Sequence, residues 1–315
     1  MIVYDIAMRV PFRGLKRRQG MLLQGKAGWA EWSPFPEYGD EEAARWLEAA
    51  LDIAEHGFPG PFRDQVPVNG IVPALAPDDA VRRAVETGCR TIKIKVAGET
   101  SLDEDLARVR AVRDALPDAH LRIDANGGWS LEQAARALRE LAPLDLQYAE
   151  QPCASVNDLA RLRSLGLGVK IVADESIRKA EDPYRVAELD AADGIVLKVQ
   201  PLGGIRRCLA LAKELRMPCV VSSAVETSVG IAGGVALAAA LPELPWACGL
   251  ETIRLLEGDV VERPLLPENG WLTPPIVGLE PTLAAQHLAD DATTRWWQAR
   301  LERVQRLVGA PGSAG

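Results

Sequence analysis

From about residue 66 the chain alternates between short apolar runs and longer stretches in which apolar residues recur every three or four positions. Runs of four to eight residues at 68–75, 91–96, 121–124, 146–150, 170–174, 194–198, 219–223 and 247–251 read as strands buried on both faces, as parallel strands are. The intervening stretches have helical spacing and recognisable ends. Asp78 or Asp79 opens one that presents Val81, Ala84 and Val85 and closes at Gly88. Leu106, Val109, Val112 and Leu116 form the next stripe, stopped by Pro117. Ser130 and Gln133 have capping-box spacing before Leu131, Ala134, Leu138 and Leu141. Ser155 precedes Leu159, Leu162 and Leu165, and Gly166 closes that stretch. Asp182-Pro183 reads as an N-cap with proline at the first helical position, and Ile205, Leu209, Ala212 and Leu215 continue the series. Eight strand-plus-helix units predict a TIM-like (β/α) barrel.

Residues 1–65 follow another plan. Stretches 3–10, 21–23 and 27–32 look like antiparallel strands with glycine-rich turns, and 41–54 looks like a helix. The proline-rich stretch 260–275 does not look like barrel. The expected organisation is an α+β capping domain, 1–65, completed by 256–315, around a barrel spanning 66–255. Trp29 and Trp32 are expected in the core of the small domain, and the tail after Val308 is expected to fray.

The chain is long enough for a barrel of about 250 residues and a smaller partner. A net charge of −8 and a pI near 5.2 argue against nucleic acid or an anionic membrane as partner. Five scattered cysteines without a CxxC suit a reduced, cytoplasmic protein. The first residues lack the plan of a signal peptide, and the longest apolar run, 229–241, is short for a bilayer and reads as a buried barrel helix. No obligate protein partner is indicated.

Chemistry concentrates where the strands end. Asp124, Glu150 and Asp174 stand 26 and 24 positions apart, and Lys198 follows after another 24, about one barrel unit per step. Residues at strand C-termini converge on one face, so three carboxylates there suit a divalent cation such as Mg²⁺. Acids that merely cap the following helices are the plainer alternative for any one of them. Lys93 and Lys95, two apart on a strand, share the interior face. Two adjacent ammonium groups are expected to depress each other's pKa, which would suit a general base. Lys198 arrives from the far side. With a dication added, the six side chains leave a net positive site suited to a carboxylate substrate. Lysines and acids paired in an ion network without metal are the alternative. The histidines, His56, His120 and His287, fall outside the expected active face, and no Gly-x-Ser-x-Gly elbow exists, which disfavours histidine-base and serine-hydrolase chemistry. Proton abstraction by lysine remains. Ser222 and Ser223, at the seventh strand end, and Asn126 are candidate substrate-binding residues; helix capping by Thr227 or Ser228 is an equal reading of that stretch. Lys16-Arg17-Arg18, between Gly14 and Gly20, is a candidate lid, with a solvated loop as the default.

Taken together, Lys-x-Lys (93–95), Asp-x-Asn-Gly-x-Trp (124–129), Glu-Gln-Pro (150–152), Asp-Glu-Ser (174–176) and Lys-x-Gln-x-x-Gly-Gly (198–204) resemble the enolase superfamily, muconate-lactonizing subgroup, across essentially the whole chain, including Asn269-Gly270-Trp271-Leu272. The resemblance implies Asp124, Glu150 and Asp174 as Mg²⁺ ligands, with Mn²⁺ a possible substitute. It implies Lys95 as the base, Lys93 as its electrostatic tuner and Lys198 as the cation across the intermediate. Phe12-Arg13-Gly14, the stretch 28–35 and Pro36-Glu37-Tyr38 are most similar to the actinobacterial branch that forms o-succinylbenzoate in menaquinone biosynthesis, by syn dehydration of a cyclohexadiene dicarboxylate. Dipeptide epimerases of the subgroup carry Asp-x-Asp at the eighth strand. Gly249-Leu250-Glu251-Thr252 lacks that pair. N-acylamino acid racemase and muconate cycloisomerase activities are the alternatives within the superfamily, and a non-catalytic metal-binding scaffold is the alternative outside catalysis.

Overall fold

The computed structural model describes residues 1–12, 14–98, 100–177 and 182–308. Strands β1 (Ile2–Phe12), β2 (Leu15–Gly25) and β3 (Gly28–Trp32) form an antiparallel sheet in chain order, followed by helix α1 (Asp40–His56). Next come β4 (Val66–Pro67), β5 (Gly70–Val72), α2 (Pro77–Glu86), β6 (Thr91–Lys95), α3 (Leu102–Ala115), β7 (His120–Asp124), α4 (Leu131–Leu141), β8 (Leu146–Glu150) and α5 (Val156–Ser164). The alternation continues through β9 (Ile171–Ala173), α6 (Asp182–Glu188), β10 (Gly194–Leu197), α7 (Ile205–Leu215), β11 (Cys219–Val221) and α8 (Ser228–Ala240). Beyond the barrel lie β12 (Trp271–Leu272), paired antiparallel with β4, and α9 (Asp291–Val308).

The seven strands from β5 to β11 lie in chain order, each hydrogen-bonded in parallel to the next. The eighth expected strand, 247–251, is reduced to two parallel bridges, Cys248 to Val68 and Gly249 to Ser222. These bridges close the ring between β11 and the approach to β5. Its ladder stops there because the Leu250 amide turns back to the Cys248 carbonyl and Thr252–Leu255 winds into a 3₁₀ turn.

Local signals explain most helix ends. Ser130 with Gln133 and Ser101 with Glu104 form complete capping boxes, and Ser155 accepts from the Asp158 amide. The expected start at Asp78 or Asp79 is displaced: Ala76 is the N-cap and Pro77 opens the helix, leaving both acids in its first turn, where the helix dipole favours them. Of the expected stripe Ala84 is buried, joined by Ala80, whereas Val85 is exposed. In α7 the buried residues are Ile205, Cys208 and Leu211, displaced from the expected stripe. The Asp182 side chain lies outside the described residues.

Helix α8 is apolar on all sides because it is covered on all sides, packing against β11, α7 and the N-terminal strand β3. Among the described residues no helix is long and apolar enough to cross a membrane. After the barrel the chain returns to the N-terminal sheet: Met8 bridges to Leu256, Tyr4 to Leu288, and α9 lies along α1. Trp297 meets the buried Trp32 edge-on at 5.4 Å, while Trp29 is half-buried.

Gly70 has no room for a side chain, since a Cβ would fall 2.5–2.6 Å from the Thr87 side chain. Gly70→Ala is expected to lower stability by about 1–3 kcal/mol through overpacking. Adding Thr87→Ala should return part of that loss in thermal unfolding. Equal stability of Gly70→Ala and wild type would show that the contact is slack.

Candidate active site

Period-two alternation in the strands stacks the barrel interior in layers. Tyr148, Val172, Val196, Val220 and Trp246 form one buried cluster. The first four of these lie two residues before Glu150, Asp174, Lys198 and Ser222, respectively, so the plug and the site share one face of each strand. Arg122, two before Asp124, lies in the same layer, donating to the Tyr148 hydroxyl (2.9 Å), Asn69 Oδ1 (3.1 Å) and the Ala247 carbonyl (2.7 Å).

On this floor the predicted residues come together. Lys93 Nζ lies 2.9 Å from Glu150 Oε1 and 3.6 Å from Asp124 Oδ2, so its ammonium stands between two carboxylates. Lys95 Nζ is 3.6 Å from Asp124 Oδ1 and, although buried, makes no hydrogen bond. Lys198 Nζ lies 2.5 Å from Asp174 Oδ2. A cavity of about 20 Å³, room for roughly one water, is lined by Lys93, Asp124, Asn126, Lys198, Ser222 and Ser223, with Ile71, Val225 and Thr252. Asn126 donates from its amide to Glu175 Oε1, while its own Oδ1 is buried without a partner. The Ser223 and Thr252 hydroxyls share a hydrogen bond of 2.5 Å.

The turn motifs have a mechanical role. Gln151, at a φ of +39°, donates to the Cys153 carbonyl and to Ser176 Oγ, and its Oε1 accepts from the Asp174 and Ser176 amides. One side chain thereby fixes the ends of β8 and β9 and hence the spacing of Glu150 and Asp174. Arg122, Glu175 and this use of Gln151 escaped the sequence reading; the signal for Arg122 was its position two residues before a site acid.

Electrostatics corrects one expectation. Burial alone pushes the Lys93 ammonium down, but Glu150 and Asp124 outweigh it, so its pKa is raised and not depressed. Attraction to two adjacent carboxylates exceeds any repulsion between the lysines. Burial also opposes ionisation of Asp124, yet Lys95, Lys93 and Lys198 together hold it well below the usual carboxylate range. Glu150 is pushed up to about 7, by burial and then by Asp124 and Asp174 against the pull of Lys93.

Among the described residues the carboxylates do not form a ready cation cage, since ammonium groups hold them. The donor set still fits a hard dication. It is all oxygen and buried, and burial, with the charges of Asp124 and Asp174 after it, disfavours the ionised form of Glu150.

The candidate lid is neither lid nor loop. Lys16, Arg17 and Arg18 belong to strand β2; Arg17 pairs with Asp5, and Arg18 is 1% exposed. Thr227 is the N-cap of α8, yet an acid from the small sheet does the capping: Glu31 Oε2 accepts from the Thr227 amide (3.0 Å), the Thr227 hydroxyl and the Gly230 amide (3.2 Å). Asp259 accepts from the Ser228 amide in the same way.

Known proteins share this frame. The chain matches the enolase N-terminal domain-like family over residues 3–54 and the enolase C-terminal domain-like family over residues 77–281. It is 54% identical to the o-succinylbenzoate synthase of Thermobifida fusca, over 97% of this chain and 98% of that one. With the o-succinylbenzoate synthase of Mycolicibacterium smegmatis the identity is 47%, over 97% and 95%. Among solved structures, the muconate lactonizing enzyme of Pseudomonas fluorescens superposes with a TM-score of 0.77 at 21% identity, covering 96% of this chain and 97% of that one. The L-Ala-D/L-Glu epimerase of Bacillus subtilis superposes equally well, 0.77 at 21%, covering 89% and 98%. Those two likenesses establish the fold.

Glu226, beside the site, yields a pH prediction. Burial, and then Glu31, push its carboxyl up to about 7 from an ordinary value of 4.5. The folded chain therefore binds the extra proton between about pH 4.5 and about 7, and stability falls as pH rises through that window. Across it, Glu226→Gln should lose less unfolding free energy than wild type, by on the order of 3 kcal/mol. Parallel curves from denaturant titrations at several pH values would remove the assignment.

Proposed function

This chain belongs to the enolase superfamily, and on that footing we propose that it is an o-succinylbenzoate synthase. It is then a lyase that converts 2-succinyl-6-hydroxy-2,4-cyclohexadiene-1-carboxylate to o-succinylbenzoate, in the cytoplasm, for menaquinone synthesis. The observation that carries the reading is near-full-length identity of 44–54% to relatives bearing that name, joined to a barrel mouth holding all three acids and all three lysines.

Members of the superfamily use a divalent metal. Asp124, Glu150 and Asp174 would hold it here, as Mg²⁺, and it would supply positive charge against the substrate carboxylate as electrons move onto it. Lys95 removes the proton alpha to the ring carboxylate. Its ammonium is buried, lacks a hydrogen bond and contacts one acid only at 3.6 Å, so it is the lysine least committed to an ion pair. Lys93 stays charged between Glu150 and Asp124 and keeps their negative charge from binding Lys95 more tightly. From the Asp174 side, Lys198 opposes the charge of the enediolate. Lys95, now protonated, then gives its proton to the departing hydroxide, which leaves as water from the face the base attacked. Aromatisation drives this second step. Ser222, Ser223 and Asn126 would hold the dicarboxylate, a reading supported by their lining one cavity. The cavity, with room for roughly one water, is far smaller than such a molecule, so binding it would require the surrounding side chains to move.

Lys95→Ala should lower kcat by about 10²–10⁴-fold, the worth of a positioned general base, while the fold is retained. Near-normal dehydration of the cyclohexadiene substrate by that variant would exclude Lys95 as the base. Removing metal with a chelator should abolish turnover, and titration with Mg²⁺ or Mn²⁺ would identify the ion that restores it. Because Lys95 and Lys198 both reach carboxylates at the same barrel rim, racemisation of N-succinyl amino acids is the second reading. Solvent deuterium entering those compounds without any dehydration of the cyclohexadiene would favour it.

A further inference from the structure

Arg18 lies in the N-terminal sheet, is buried, and has no hydrogen bond to a carboxylate. Arginine is seldom buried in that way without a task. Its donors go to backbone: Nε to the Val225 carbonyl (2.9 Å), Nη2 to the carbonyls of Ser33 (2.5 Å) and Ala224 (3.3 Å), and Nη1 to the Gln19 carbonyl (3.0 Å). Nη2 also reaches Ser33 Oγ (2.8 Å), and the guanidinium lies 4.8 Å from the Phe35 ring centre. Two of those carbonyls belong to the loop after β11, whose residues 222–225 form a wall of the active-site cavity. Arg18 itself does not reach that cavity.

The loop needs holding. Val225 has a φ of +62°, a left-handed conformation that a β-branched residue adopts only when its surroundings impose it. Three constraints converge on it. Arg18 binds the carbonyls on one side. Glu226 turns back to accept from the Ala224 amide. Glu31 receives the Thr227 amide and hydroxyl where the loop enters α8. A fourth tie reaches the neighbouring strand end, where Gln200, two residues after Lys198, accepts from the Ser33 amide (3.0 Å) and donates to Ser33 Oγ (3.2 Å).

We propose that Arg18 is a positioning residue of the N-terminal sheet, holding the strained 222–225 loop in the shape that presents Ser222 and Ser223 to the substrate. The inference rests on the substrate assignment above for its kinetic arm only. Losing Arg18 frees the loop to relax away from the left-handed Val225 conformation, so substrate binding weakens while the lysines and acids on the strands stay in place.

Arg18→Met and Val225→Gly test this from opposite sides. Arg18→Met should raise KM for the cyclohexadiene dicarboxylate by about tenfold or more, with kcat within about threefold of wild type, and adding Val225→Gly, which makes the left-handed conformation free of strain, should return part of that rise. In Arg18→Met, amide hydrogen exchange should accelerate in the segment 222–227 and not in the barrel strands. Val225→Gly alone relieves backbone strain but deletes a side chain that is 2% exposed, so its thermal midpoint should fall while exchange in 222–227 stays local. Unchanged KM and unchanged exchange in folded Arg18→Met would overturn the proposal, as would exchange that rises evenly through the barrel. If Arg18→Met fails to fold, Arg18→Lys decides: it keeps the charge but not the planar set of donors to the carbonyls of Ser33, Ala224 and Val225, and a normal KM with normal loop exchange refutes the role. Hydrogen exchange needs no substrate, so an inactive wild type would defeat the assigned reaction while leaving this test standing.

Discussion

Charge balance in a cavity nearly without water governs this molecule. Closing a parallel barrel aims every second residue of each strand inward, and at the C-terminal rim those positions hold three carboxylates and three ammonium groups. None could be buried alone, because desolvating a single charge costs more than most side-chain contacts return. Among the acids Glu150 is the weakest, raised by burial and then by Asp124 and Asp174. The strand ends thus gather all six charges into one ion cluster.

The second dependence is mechanical. The barrel supplies the reactive groups on rigid strand ends, yet its own loops do not determine the cavity wall. Gln151 locks the ends of β8 and β9 from within the barrel. The wall after β11 is locked from outside, by Arg18 and Glu31 of the antiparallel sheet. Tyr4 and Ser33 hold the other oxygen of Glu31, and burial with the Glu31 charge keeps the Tyr4 hydroxyl a donor. Small sheet and barrel therefore meet through buried hydrogen bonds that leave little freedom to slide.

Much was legible in the chain itself. Short apolar runs and period-3.6 patterning located seven ring strands and their helices, because burying both faces of a parallel strand requires a continuous apolar run. Even spacing of Asp124, Glu150, Asp174 and Lys198 placed them on one rim, because each barrel unit has nearly constant length. Serine caps at 130 and 155 were visible because capping is local.

Tertiary structure decided what depends on partners far apart in sequence. Whether Lys93 is pushed up or down depends on which carboxylates the closed ring brings beside it, and no neighbour in sequence reports that. The eighth strand shrinks to two bridges because of a turn at Leu250 that apolar character does not encode. Arg18 reads as a surface charge between glycines until the sheet folds over the barrel and places it against Ala224 and Val225. Local chemistry is written residue by residue, whereas long-range electrostatics and strain exist only once the ring has closed.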